Sequence, residues 1–270
     1  MSFTGPKPLM NQKTNSSGLV NCKKRILKDV INIMKNPLHD QGIYYKHDEN
    51  DIRIGQAMII GPKDTPYQNG MYFFNFCFPL DYPFSPPKLT YHTNGLDIRF
   101  NPNLYEDGKV CLSILNTWRG EQWTSCQTIS SVLLTLVSIL IKEPFLNEPH
   151  KTKKSRDFKT YHKIVEWGNI NVAIYGVLKM NFSFFSDLFK QEILSHIQNN
   201  NEEIKQQIKT LNKKYKKYNG KSKSLKTKTY EMEIYPTEGI SVSDYECYKE
   251  AFFVINKYNG DNDTNNNYIE

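Results

Sequence analysis

Residues 129–141, ISSVLLTLVSILI, are apolar on nearly every side of a helical wheel. A helix of that kind is stable only at the centre of a layered domain, with other elements packed around it. The run is too short for a bilayer, which takes ~20 apolar residues, and no longer apolar stretch occurs. The start, MSFTGPKPLMNQKTNSS, lacks an apolar signal core. The expected location is therefore the cytoplasm, with the nucleus open to it as well, and no membrane partner is expected.

The layers around that helix are legible on both sides. Residues 52–60, 71–78 and 88–92 are rich in β-branched and aromatic side chains, separated by turn formers at Gly61-Pro62, Asn69-Gly70 and Tyr82-Pro83. An antiparallel meander is the simplest topology for such a series. Before it, residues 21–35 read as a basic amphipathic helix with Ile26, Val30, Ile33 and Met34 on its apolar side, stopped by Asn36-Pro37. After the central helix, residues 158–180 and 188–218 read as helices, 219–240 as a loop and 244–257 as a short terminal helix. Hydrophobic residues at 39% and aromatics at 13% exclude global disorder. The expected fold class is α/β, of the α+β kind, with a flexible arm at 1–18, a core domain at 19–182, a helical extension at 183–258 and a polar tail at 259–270.

Charge and cysteine usage narrow the function classes. The net charge is +7, and residues 205–228 hold ten Lys and no Asp or Glu. Ile197, Ile204, Leu211 and Tyr218 recur every seven residues there, with Ile208 and Tyr215 between them, so the lysines form the solvated face of an amphipathic helix. Docking of an acidic protein is the second reading. Nucleic acid is disfavoured, because Arg and interleaved exposed aromatics are lacking. The five cysteines, Cys22, Cys77, Cys111, Cys126 and Cys247, are scattered without a Cys-x-x-Cys pair or a His at zinc spacing. Neither a disulfide framework nor a metal site is indicated.

Chemistry concentrates in residues 100–123, FNPNLYEDGKVCLSILNTWRGEQW, an aromatic-rich loop punctuated by Pro102, Gly108 and Gly120. Cys111 follows the Asp107-Gly108 turn. Its local sequence leaves two readings: a reactive thiol held at the surface by a rigid loop, or a buried apolar filler. No nearby His or Asp makes a protease-like pair with it.

The segments GPKDTPYQNGMYFFNFCFPLDYPFSPPKLTYHT and NPNLYEDGKVCLSIL, with the helix after Trp123, resemble ubiquitin-conjugating enzymes in unbroken order over about residues 23–149. The likeness is strongest to the large Z-type branch with an extended C-terminal half. It implies a four-stranded antiparallel sheet flanked by helices, with additional C-terminal helices. It implies an enzyme that accepts ubiquitin or a ubiquitin-like modifier as a thioester and passes it to the lysine of a protein substrate. The implied partners are that modifier, an activating enzyme, a ligase and protein substrates. No cofactor is implied for the chain itself, ATP being used by the activating enzyme.

The resemblance also carries roles. Cys111 matches the acceptor, and Asn103 matches the asparagine of a His-Pro-Asn motif whose histidine is replaced here by Asn101. Glu148, in Asn147-Glu148-Pro149, matches an acidic gate that would help a lysine lose its proton. Lys24, Arg25 and Lys28 match residues that meet the activating enzyme. Phe84 matches the aromatic that ligases grip, with Ser125 and Cys126 on the second ligase loop. That loop reads Trp123-Thr124-Ser125-Cys126 where Ser-Pro-Ala is usual. A noncatalytic modifier-binding variant of the same fold is the competing reading, and the presence of Cys111 argues against it.

Overall fold

The computed structural model describes residues 16–96, 98–215, 223–226, 231–234 and 241–264. Helix α1, Ser16–Lys35, buries Cys22, Ile26, Val30 and Ile33 at helical spacing. Met34, expected on that apolar side, is 74% exposed. The cause is periodicity: after Ile26, Val30 and Ile33, the next inward position at helical spacing is Pro37, past the end of the helix.

The sheet follows as a meander, with β1 Ile43–His47, β2 Ile54–Ile60, β3 Met71–Cys77 and β4 Lys88–Tyr91 in spatial order β1-β2-β3-β4, all antiparallel. The register pairs Ala57 with Phe74 and Met58 with Phe73. Strand β1 was not individually legible, since IYYKH is short and carries no strict alternation.

Helix α2, Ile129–Ser138, opens with a capping box between Thr128 and Ser131. It buries Ile129, Val132, Leu133 and Leu136, but Leu134 is 40% exposed. The helix is therefore central on one side and open on the other, rather than buried all round.

The chain next forms α3, Phe158–Gly168, a π-helical turn at Asn169–Ile174, and α4, Tyr175–Leu178. The π turn carries Asn169 into the core, where its side chain accepts a hydrogen bond from the Tyr72 hydroxyl (2.6 Å) and donates to the Gln68 carbonyl (2.8 Å). Helices α5, Ser183–Leu188, and α6, Lys190–Tyr215, then lie over the sheet. Phe73 stacks on Phe185 and Phe189, and Lys46 pairs with Glu192 at 2.9 Å. With its inner face packed on Tyr67 and Phe100 through Tyr72, the sheet is covered on both sides, so β2 and β3 are buried along almost their whole length.

Helix α6 buries Ile197, Ile204 and Leu211 of the expected seven-residue row, with Ile208 between them and Ile193 a turn earlier. Lys205 is clamped between Glu202 (3.0 Å) and Glu246 (2.5 Å), and Lys214 pairs with Glu166, so part of the basic run is intramolecular. Within the expected loop the backbone forms two antiparallel strands, β5 Lys223–Lys226 and β6 Glu231–Ile234. The last helix, α7 Val242–Thr264, is longer than expected and extends into the expected tail. Most of the expected arm, like Tyr218, lies outside the described residues, while α1 begins at Ser16.

Candidate active site

Two glycines set the frame of the site. Gly108 turns the chain at φ +89°, and a Cβ there would lie 2.9 Å from the Tyr91 carbonyl oxygen; Tyr91 in turn donates its N–H to the Gly108 carbonyl (2.8 Å). The hairpin leading to Cys111 is thereby pinned to the edge of β4. At Gly61 the Tyr67 carbonyl passes so close that a Cβ added there would lie 1.8 Å from its oxygen, which no side chain could accommodate. That contact fixes the loop carrying Tyr67 beneath the site.

Cys111 is held by its own main chain. Its N–H donates to the Asn103 carbonyl (2.9 Å), and the Asn103 Nδ2 donates to the Cys111 carbonyl (2.6 Å). From the other side, the Thr117 hydroxyl accepts from the Leu112 N–H and donates to the Val110 carbonyl, both at 2.9 Å. Cys111 is only 2% exposed, so the thiol is not displayed at the surface as one reading of the loop expects. Yet it stands outside the contiguous apolar core that takes in Val110 and Leu112 on either side.

Asn101 organises the loop from below. Its Nδ2 donates to the Tyr67 hydroxyl oxygen (2.9 Å) and to the Ile139 carbonyl (2.8 Å), while its Oδ1 accepts from the Asn103 N–H (3.0 Å) and the Asn147 Nδ2 (3.2 Å). Tyr67 donates its own O–H to the Phe100 carbonyl at 2.7 Å. Burial raises its phenol far above the usual tyrosine range, against the opposing effect of the Asn101 hydrogen bond, so it stays a neutral donor. The change from histidine to Asn101 thus leaves a fully bonded loop.

Asn147 ends the short turn Pro144–Asn147, and Glu148 follows it, half-buried, with no side-chain partner among the described residues. Through Asn147 the segment carrying Glu148 is joined to the loop carrying Asn103 and Cys111. Asn147, Tyr67 and Thr117 were missed in the sequence. Asn147 and Tyr67 reach groups far away in the chain, which leave no local signal, and Thr117 is one hydroxyl among many.

The residues expected to meet partners divide. Lys24 and Lys28 are exposed. Arg25 is not a free cation: its guanidinium pairs with buried Asp29 (3.1 Å), donates to the Ser125 (2.6 Å) and Gln127 (2.5 Å) carbonyls, and lies over Tyr82. Phe84 is 80% exposed on the turn that follows the cis Tyr82-Pro83 bond, and Ser125 and Cys126 are exposed on the loop after Trp123. Trp123 joins the two loops by donating its indole N–H to the Pro83 carbonyl at 2.7 Å.

A family model described as ubiquitin-conjugating enzyme matches residues 25–167. Ubiquitin-conjugating enzyme E2 Z of Xenopus tropicalis is 40% identical over 161 residues, 58% of this chain and 51% of that protein. The Homo sapiens E2 Z is also 40% identical over 161 residues, covering 45% of its length. The Homo sapiens dual E2 ubiquitin-conjugating enzyme/E3 ubiquitin-protein ligase BIRC6 is 52% identical over 115 residues, 40% of this chain and 2% of that protein. The chain spans about half the length of the E2 Z relatives it matches.

Proposed function

Because the chain belongs to the ubiquitin-conjugating enzyme family, we propose that it accepts ubiquitin or a ubiquitin-like modifier on Cys111 and transfers it to substrate lysine. In the first step the Cys111 thiolate attacks the thioester carbonyl on an activating enzyme. A new carbon–sulfur bond forms, the old one breaks, and the activating enzyme's thiolate leaves. Thiolate replaces thiolate, so no acid–base dyad is needed. In the second step a lysine amine attacks the same carbonyl through a tetrahedral oxyanion and loses a proton, and the Cys111 thiolate is expelled.

The observation that carries this reading is the reciprocal bonding of Cys111 and Asn103, which fixes the thiol's backbone within a loop tied to the segment of Glu148. Asn103 spends an N–H on the Cys111 carbonyl, so its role is first to brace the loop; stabilising the oxyanion falls to that braced loop. The carboxylate of Glu148, half-buried and without a side-chain partner among the described residues, suits the uptake or orientation of the amine proton. Lys24 and Lys28 are the cations open to an activating enzyme, and Phe84, Ser125 and Cys126 form the surface open to a ligase. ATP is consumed by the activating enzyme, and the setting is cytoplasmic or nuclear.

The test incubates the protein with a panel of activating enzymes, their modifiers and ATP, and reads a nonreducing gel. A thiol-sensitive adduct is expected, lost in Cys111→Ala and converted to a stable oxyester in Cys111→Ser. An adduct that survives Cys111→Ala and disappears with Cys126→Ala would overturn the assignment.

A further inference from the structure

Beside the segment that carries Glu148 lies a pocket of about 270 Å3 lined by Lys142, Glu143, Phe158, Lys159, His162 and Lys163, with Lys214 closing it from α6. Its cations outnumber its one carboxylate, Glu143, and that carboxylate and the nearby Glu166 are both occupied. Glu143 pairs with Lys153 at 2.5 Å, and Glu166 behind the pocket is held by Lys214 and by His162 at 3.3 Å. Burial would raise the Glu166 pKa, but those two hydrogen bonds outweigh it and keep the carboxyl below its ordinary range, hence ionised. Lys142 and Lys159 are exposed and have no ion pair among the described residues. The floor is the Phe158 ring, which meets the Phe145 ring edge-on with centroids 6.4 Å apart. Phe145 belongs to the turn Pro144–Asn147 that places Glu148, so pocket and gate share one support.

We propose that this pocket docks an acidic segment of the acceptor protein, one that sets an apolar side chain on Phe158 and carboxylates against Lys142 and Lys159. The assignment of the segment to the acceptor rests on the proposed transfer function; its acidic chemistry rests on the pocket alone. A nucleic acid fits less well. No Arg lines the pocket, and its one aromatic is half-buried within it rather than part of an exposed stacking series.

The test is fluorescence anisotropy of the unloaded full chain with a labelled peptide, EDDLEDE, against its neutral counterpart QNNLQNQ. Only the acidic peptide is expected to bind, with affinity falling at least about tenfold when the paired reversal Lys142→Glu/Lys159→Glu is made and when salt is raised. Replacing the peptide's Leu by Asn is expected to weaken binding about tenfold. The same reversal at Lys35 and Lys88, outside the pocket, is expected to leave binding within about twofold. Equal binding of the neutral peptide, or binding that ignores the pocket reversal, overturns the docking site. So does an oligonucleotide of equal charge whose binding, unlike the peptide's, depends on Lys142 and Lys159.

A second arm loads Cys111 and measures discharge onto a lysine placed before the acidic or the neutral segment. At least about a fivefold gain in kcat/KM for the acidic acceptor is expected, abolished by the pocket reversal. Peptide binding without that preference overturns the acceptor assignment, whereas failure to load would strike the proposed function and leave the titration as it stands.

Discussion

An asparagine amide offers two donor hydrogens and an oxygen with two lone pairs, and Asn101, fully buried, has all four engaged. Truncating it leaves the buried Asn103 N–H without its partner and takes one bond each from Tyr67, which keeps the Phe100 carbonyl, and from the Ile139 carbonyl and the Asn147 amide, which keep each other. Buried groups left unpaired cost about 1–3 kcal/mol each, though some would rebond to water. Asn101→Ala is accordingly expected to lower stability by about 2–4 kcal/mol in urea unfolding, and Asn101→His by less, since a neutral ring restores one donor and one acceptor. Asn103→Ala is expected to load nearly normally but to discharge to free lysine at least about tenfold more slowly, read by single-turnover assay; equal losses in both steps would make it a purely structural residue. Accessibility gives a further test. With Cys111 2% exposed and Cys126 exposed, limiting alkylation followed by peptide mass analysis is expected to label Cys126 at least about tenfold faster, the factor that an opening free energy of about 1.4 kcal/mol imposes. Comparable rates would mean that the loop already presents the thiol. The spacing of Cys111, Asn103 and Asn101 was legible because all three lie on one short loop. The burial of Cys111 was not, since it depends on which neighbours close over the loop.

At the scale of elements, Arg25 shows how a helix face can mislead. A basic position beside Lys24 and Lys28 reads as part of one cationic surface, but the inward turn of α1 brings Arg25 to Asp29 and to the loop at 125–127. Asp29 is itself buried, and it also receives the Tyr82 hydroxyl. Arg25→Ala would remove the cation and leave that carboxylate with Tyr82 alone. A loss of about 2–3 kcal/mol is expected, below the ~3–5 kcal/mol of a fully broken buried pair because the Tyr82 bond persists. Reversing Lys24 and Lys28 to Glu is expected to leave stability within about 0.5 kcal/mol while slowing loading at low salt. Urea midpoints set beside loading rates separate the two cases, and an Arg25→Ala protein as stable as the wild type would return Arg25 to the docking surface. Most helices and three strands were readable because their periodicity is local. The π turn after Gly168 was not: it is set by Asn169 reaching Tyr72 and Gln68, partners about a hundred residues away.

For the whole molecule, the decisive fact is that α5 and α6 close the outer face of the sheet, so groups that could have met water are enclosed. His92, just past β4, lies against the Phe185 ring with centroids 4.9 Å apart, and burial pushes its pKa down to about 4 from an ordinary 6.5. A folded pKa below the unfolded one means that, between those two values, the unfolded chain binds a proton that the folded chain refuses. Stability is therefore full above about pH 6.5 and falls as the pH drops towards 4, by at most about 1.4 kcal/mol for each pH unit. His47 and His196 are lowered in the same direction, again chiefly by burial, and add to the slope. The depressed carboxyls of Asp51 and Glu166, with ordinary values of 3.8 and 4.5, lose their contribution only at lower pH, so the window from about 6.5 to 4.5 belongs to the histidines. His92→Phe, which keeps the ring packing and removes the titration, is expected to flatten but not abolish the fall in urea-unfolding free energy across that window. Identical slopes for variant and wild type would show that His92 takes up its proton in place, and that the sheet's outer face is wetter than its packing on Phe185 implies.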